Sequence, residues 1–220
     1  MGSHAYGVAE NDSDQDIYCV YIPSIENVIS DPKEYIHGFG KKFDPLQSWQ
    51  QHHIEYNGCS YDVSFYSIQK YFDLCMSCNP NMLDSLFTYD EDVLFISEKF
   101  KKVKDQRSLF LSREVYSKFR GFAYSEFNKW EKDKIDMKRA YHMIRMLIEL
   151  ETCLSGNLDL KSNPQLLIDI RKNKFSSDEI IDIYDKLNDR IEKNKSDYEK
   201  LSPMRYDQIH KLLFMIVFFD

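Results

Sequence analysis

Three aspartates alternate in the stretch "NDSDQDIYCVYIP": Asp12, Asp14 and Asp16, at the entry to a β-rich run over 17–22. Side chains two apart on a strand leave from the same face, so Asp14 and Asp16 are expected side by side. Two uncompensated carboxylates repel, and a bound divalent cation is the usual remedy. Mg²⁺ is satisfied by a few carboxylate oxygens together with the phosphate oxygens of a substrate. An EF-hand calcium loop begins with the same spacing, but it requires Gly at its sixth position and Glu at its twelfth, where this chain has Ile17 and Pro23. The calcium loop is therefore excluded, and a solvated acidic turn is the remaining alternative. Asp62 lies between Tyr61 and Val63, in an apolar and aromatic pattern where a strand carboxylate needs a partner. If the two strands are neighbours, Asp62 completes a three-carboxylate cage for two metal ions, with Glu55 as the competing candidate.

The elements that must position these groups can be read in turn. The run 17–22 stops at Pro23 and suits a buried strand, while 24–50 looks irregular, with Pro32, Gly38, Gly40 and Pro45 scattered through it. "HHIEYNGCSYDVSFY" predicts two strands joined at Asn57-Gly58, a strong hairpin signal. Ser67 is placed to cap a helix running to about Cys78. Asn79-Pro80 breaks that helix before a shorter one carrying Met82, Leu83, Leu86 and Phe87 on one face. Helical periodicity then covers roughly 112–130, 137–155, 164–171, 177–194 and 203–219. The fold class expected is α+β, divided into an α/β unit at 1–110 and a helical unit at 111–220.

Composition narrows the partners. The 220 residues carry 15 Tyr and 15 Phe, which argues for burial and against disorder. A net charge of −7 provides no general attraction to phosphate backbones, so a nucleic-acid partner requires a local basic surface or metal ions. Five cysteines in no regular framework fit reduced thiols in a cytoplasmic compartment. Cys75 and Cys78 lack a second ligand pair at zinc spacing and are expected as two buried thiols. The longest apolar run, "LLFMIVFF" at 212–219, is about half of what a membrane-spanning helix requires and is expected as a buried terminal helix or as the cut point of a longer chain; no membrane partner is expected. His52 and His53 alternate faces of a strand, so at most one can point at any site.

The stretch "GSHAYGVAENDSDQDIYCVYIP" resembles the signature of DNA polymerase beta-like nucleotidyltransferases: Gly-Ser opening a short helix, about ten residues, then D-x-D on a strand. More narrowly it is similar to the nucleotidyltransferases associated with RNA repair pathways in bacteria and phages. "YDVSFYSIQKYFDLCMSCNPNMLDSLF", "FRGFAYSEFNKW" and "KRAYHMIRMLIELETCLSGNLDL" extend the similarity, which covers about residues 2 to 215. That superfamily normally has an apolar strand before Gly-Ser, whereas here only Met1 precedes Gly2.

The resemblance implies an N-terminal polymerase-beta-like sheet with flanking helices, and transfer of a nucleoside monophosphate from an NTP to a hydroxyl. It implies that Gly2 and Ser3 hold the β- and γ-phosphates, with His4 beside them, and that Asp14, Asp16 and Asp62 bind two Mg²⁺ or Mn²⁺ ions. Lys138, His142 and Arg145 fall at i, i+4 and i+7 of one predicted helix, and the resemblance favours nucleotide contact for them over a solvated face. The acceptor stays open: RNA or tRNA, or a protein or small molecule receiving, for example, AMP from ATP. An inactive nucleotide-binding or interaction module is the further alternative.

Overall fold

The computed structural model describes residues 1–10, 13–24 and 48–219. Three strands form one mixed sheet in the order β1-β3-β2: β1 is Gln15–Tyr21, β2 is Ser48–Tyr56 and β3 is Cys59–Ser67. The fold class is α+β, with this N-terminal sheet and its helices followed by a mainly helical region. β2 and β3 are an antiparallel hairpin whose turn residues Asn57 and Gly58 both have positive φ, 50° and 77°, the conformation a tight two-residue turn demands. β1 runs parallel to β3, and the segment joining β1 to β2 lies largely outside the described residues. The expectation of irregular chain up to residue 50 is corrected at its end, because β2 already begins at Ser48.

Cross-strand neighbours share a face, so Asp16 pairs with Asp62, and Tyr18 with Ser64, on one side of the sheet. Ser64 and Tyr66 are buried there, the rings of Tyr18 and Tyr66 pack at a tilt with centroids 5.8 Å apart, and the helices cover this side. α1 (Gly2–Ala5) is a single turn packed on β1. α2 (Ile68–Met76) starts where predicted, with the Ser67 hydroxyl accepting from the Lys70 amide. α3 (Pro80–Phe87) follows, with Asn79 as its cap and Pro80 in the first turn, where its missing N–H costs nothing. Cys75 and Cys78 are buried free thiols, as expected.

After α4 (Glu98–Asp105), the long helices α5 (Glu114–Trp130) and α6 (Met137–Cys153) pack along each other. α7 (Pro164–Arg171) and α8 (Ser177–Lys193) pack on α6, and α8 opens with a reciprocal cap between Ser176 and Glu179. After the single turn α9 (Lys195–Glu199), α10 (Tyr206–Phe218) packs on α2 and α4. α10 buries the stripe Ile209, Leu212 and Ile216 and leaves Phe214, Met215 and Phe218 exposed, so the expected buried terminal helix is buried on one face. Among the described residues no helix is long and apolar enough to cross a membrane.

Candidate active site

The Asp16–Asp62 rung is at the end of the sheet that α1 approaches. Gly2 has φ +60°, and a Cβ at this position would fall 1.7 Å from Oδ2 of Asp16, so only glycine allows the chain this close to the carboxylate. Ser3 is half-buried, its carbonyl accepting from the Val8 amide at 2.9 Å, and His4 is exposed. Asp14, just ahead of β1, is also exposed. Asp12 lies outside the described residues. Glu55 is exposed and opposite Ser60, one rung from the hairpin turn, which leaves Asp62 as the carboxylate beside Asp16.

The two strand carboxylates have opposite environments. Burial raises the Asp16 carboxyl above its ordinary value; the chain's terminal amine and Lys138 pull it down, while Asp62 and Asp14 push it up. Asp62 is lowered, because the His53 backbone N–H donates to Oδ1 at 2.8 Å and His52 Nδ1 lies 3.0 Å from Oδ2. Only one of the two rings, that of His52, points at this carboxylate, while His53 contributes its backbone amide. A register irregularity between Gln51 and Ile54 brings the ring of one and the amide of the other to the same carboxylate.

Lys138, exposed in the first turn of α6, is near enough for its charge to act on both Asp16 and His142. His142, one turn on, is largely buried; burial, with Arg145 and Lys138 adding, lowers its pKa to about 4, so the ring is neutral at pH 7. Arg145 departs from the expectation of a shared nucleotide-facing surface. It is 3% exposed, and its Nη1 donates to Oδ2 of Asp84 at 2.7 Å and to Oε1 of Glu149 at 2.6 Å. Its guanidinium covers the ring of Tyr6 at 4.0 Å, and the Tyr6 hydroxyl donates to Asp84 at 2.8 Å. Arg145 is thus a core residue with its charge spent on two buried carboxylates, and it leaves the nucleotide-binding set.

The sequence reading missed Tyr6, Asp84 and Glu149, yet they brace the turn that presents Gly2. Arg171 adds a bond from Nη1 to the Val8 carbonyl at 3.0 Å, so both α6 and α7 hold the far end of that turn. Arg145 and Glu149, four apart within the otherwise apolar "MIRMLIEL", were the available signal, since charges at core positions require partners. A cavity of about 320 Å³ lies along the open side of β1, lined by Asp16 and by apolar and aromatic groups including Tyr18, Phe95 and Phe100. Such walls suit a planar ring better than a phosphate.

Among the described residues no three His, Cys, Asp or Glu side chains are gathered tightly enough to enclose an ion. The donor chemistry nevertheless fits a hard divalent cation: two carboxylates on one rung, a third just ahead of the strand, and mutual repulsion that a cation would relieve.

Acidic side chains thus meet on adjacent parallel strands, with a glycine turn pressed against one of them. The chain belongs to the RNA repair pathway DNA polymerase beta family, RlaP, whose family model matches residues 1–214. Comparison with curated proteins and with solved structures gives no significant match.

Proposed function

We propose that the chain is a metal-dependent nucleotidyltransferase that moves a nucleoside monophosphate from an NTP to a hydroxyl, with an RNA 3′ end as the leading acceptor. The observation that carries this reading is the Asp16–Asp62 rung with Gly2 held against Asp16. The backbone turn at Gly2 and Ser3 receives the β- and γ-phosphates, and His4, exposed on the same turn, is within reach of them. Asp14, Asp16 and Asp62 would hold two Mg²⁺ or Mn²⁺ ions, whose chemistry is to align the attacking hydroxyl with the α-phosphorus and to neutralise the departing pyrophosphate. Lys138 adds a positive charge beside Asp16 for the same anion, and neutral His142 stands behind it with its ring packed edge-on to Tyr141.

In the transfer, a bond forms between the acceptor oxygen and the α-phosphorus, the α–β bridging bond breaks, pyrophosphate leaves and the hydroxyl proton is released. The test is incubation with each labelled NTP, Mn²⁺ and a mixed RNA pool. Label on RNA 3′ ends is the expected result. The net charge of −7 favours a second reading, nucleotide transfer to a protein or small molecule, and label found there and never on RNA would establish it in place of the first.

A further inference from the structure

The hairpin pairing is regular except at one rung. Gln51 stands opposite Val63 and Ile54 opposite Tyr61, so His52 and His53 both face the single residue Asp62. His53 has φ 55°, in the left-handed region that a side chain with a Cβ adopts only at a cost. Two residues against one, with strained backbone, is a β-bulge, a device that re-aims groups beside sites. In a regular strand, His52 and His53 would leave from opposite faces and the His53 amide would lie in the plane of the sheet, away from any side chain on its face. In the bulge, the amide reaches Oδ1 of Asp62 at 2.8 Å and the His52 ring reaches Oδ2 at 3.0 Å. Each oxygen keeps a lone pair, and the carboxylate is fixed on the rung it shares with Asp16.

We infer that the His52–His53 bulge is a positioning device for Asp62, with His52 orienting the carboxylate through Oδ2 and the His53 amide through Oδ1. For its catalytic consequence this rests on the nucleotidyltransferase reading, whereas the holding of Asp62 does not. His52 is 56% exposed, so its replacement leaves the core untouched. Partners one shell out from a metal-binding carboxylate cost roughly 10- to 100-fold when removed. His52→Ala is therefore expected to lower kcat by about tenfold or more with the NTP KM within about twofold. His52→Gln, which keeps an N–H donor, should recover most of that loss.

A readout independent of activity is hydrogen exchange of the His53 amide in the protein alone, followed by NMR. Exchange should accelerate severalfold in His52→Ala and in Asp62→Ala, and return toward the parent rate in His52→Gln. An unchanged exchange rate in His52→Ala, or loss of kcat that His52→Gln does not recover, overturns the positioning role. A parent protein that transfers no nucleotide while these exchange changes persist contradicts the proposed function and leaves the bulge supported.

Discussion

Replacing Arg145 with methionine separates a core residue from a phosphate ligand. The guanidinium bonds to Asp84 at 2.7 Å and Glu149 at 2.6 Å, and both carboxylates are at most 1% exposed. Removing one partner of a buried pair costs about 3–5 kcal/mol, because the charge left behind has neither water nor counter-charge. Against a total stability of about 5–15 kcal/mol this is a large fraction. At a urea dependence of about 2 kcal/mol per molar, a loss of about 4 kcal/mol lowers the unfolding midpoint by about 2 M. Burial already pushes Asp84 and Glu149 above the ordinary carboxyl range, and removing the arginine removes the main force opposing that rise. The folded variant then binds more protons than the unfolded chain, so its stability falls as pH rises and its deficit shrinks between pH 7 and pH 5. Urea denaturation followed by circular dichroism at the two pH values is the assay. A triple variant with Asp84, Arg145 and Glu149 all replaced by apolar side chains of similar volume should regain most of the loss. Arg145→Met within about 1 kcal/mol of the parent, with nucleotide affinity reduced, would refute the core assignment.

Three other outcomes follow from the same geometry. Gly2→Ala forces a Cβ into Oδ2 of Asp16 at a backbone φ of +60°, so nucleotide transfer should fall by about a hundredfold, the typical effect of a 1 Å misplacement, with the thermal midpoint nearly unchanged. His142 has a folded pKa of about 4 against about 6.5 in the unfolded chain, so stability is complete above pH 6.5 and declines as pH falls toward 4. Between pH 7 and pH 5 this group accounts for up to about 2 kcal/mol, and His142→Gln should lack that part of the slope in paired denaturation curves. Tyr6→Phe removes one donor from buried Asp84 and should cost about 1–3 kcal/mol of stability in the same measurement.

Local signals in the sequence survive in the fold where one principle acts alone. Asn57-Gly58 set the hairpin, Ser67 and Asn79-Pro80 set adjacent helix ends, and the alternating aspartates marked the start of β1. Neighbourhood of β1 and β3 was a condition the sequence could state but not decide, since strand order depends on contacts distant in the chain. The bulge at His52–His53 was not legible, because one added residue in a strand leaves no mark in the alternation of residue types. Arg145 was misread for a similar reason: a spacing of i, i+4, i+7 puts three residues on one side of a helix without saying how far that side turns into the core. Lys138 remains at the surface, His142 is partly covered and Arg145 is enclosed, because α6 enters the protein progressively along that line. The apolar neighbours of Arg145 and Glu149 were the stronger evidence, and they pointed inward.

The central claim is that the Asp16–Asp62 rung and Asp14 serve nucleotide transfer. Pyrophosphate release from each NTP, with Mg²⁺ or Mn²⁺ and an RNA acceptor, tests it most directly when the parent is compared with Asp14→Asn and Asp16→Asn. The account predicts release by the parent and a loss of roughly two orders of magnitude or more in each variant, with the folded structure retained by circular dichroism. Undiminished release from the variants would contradict it.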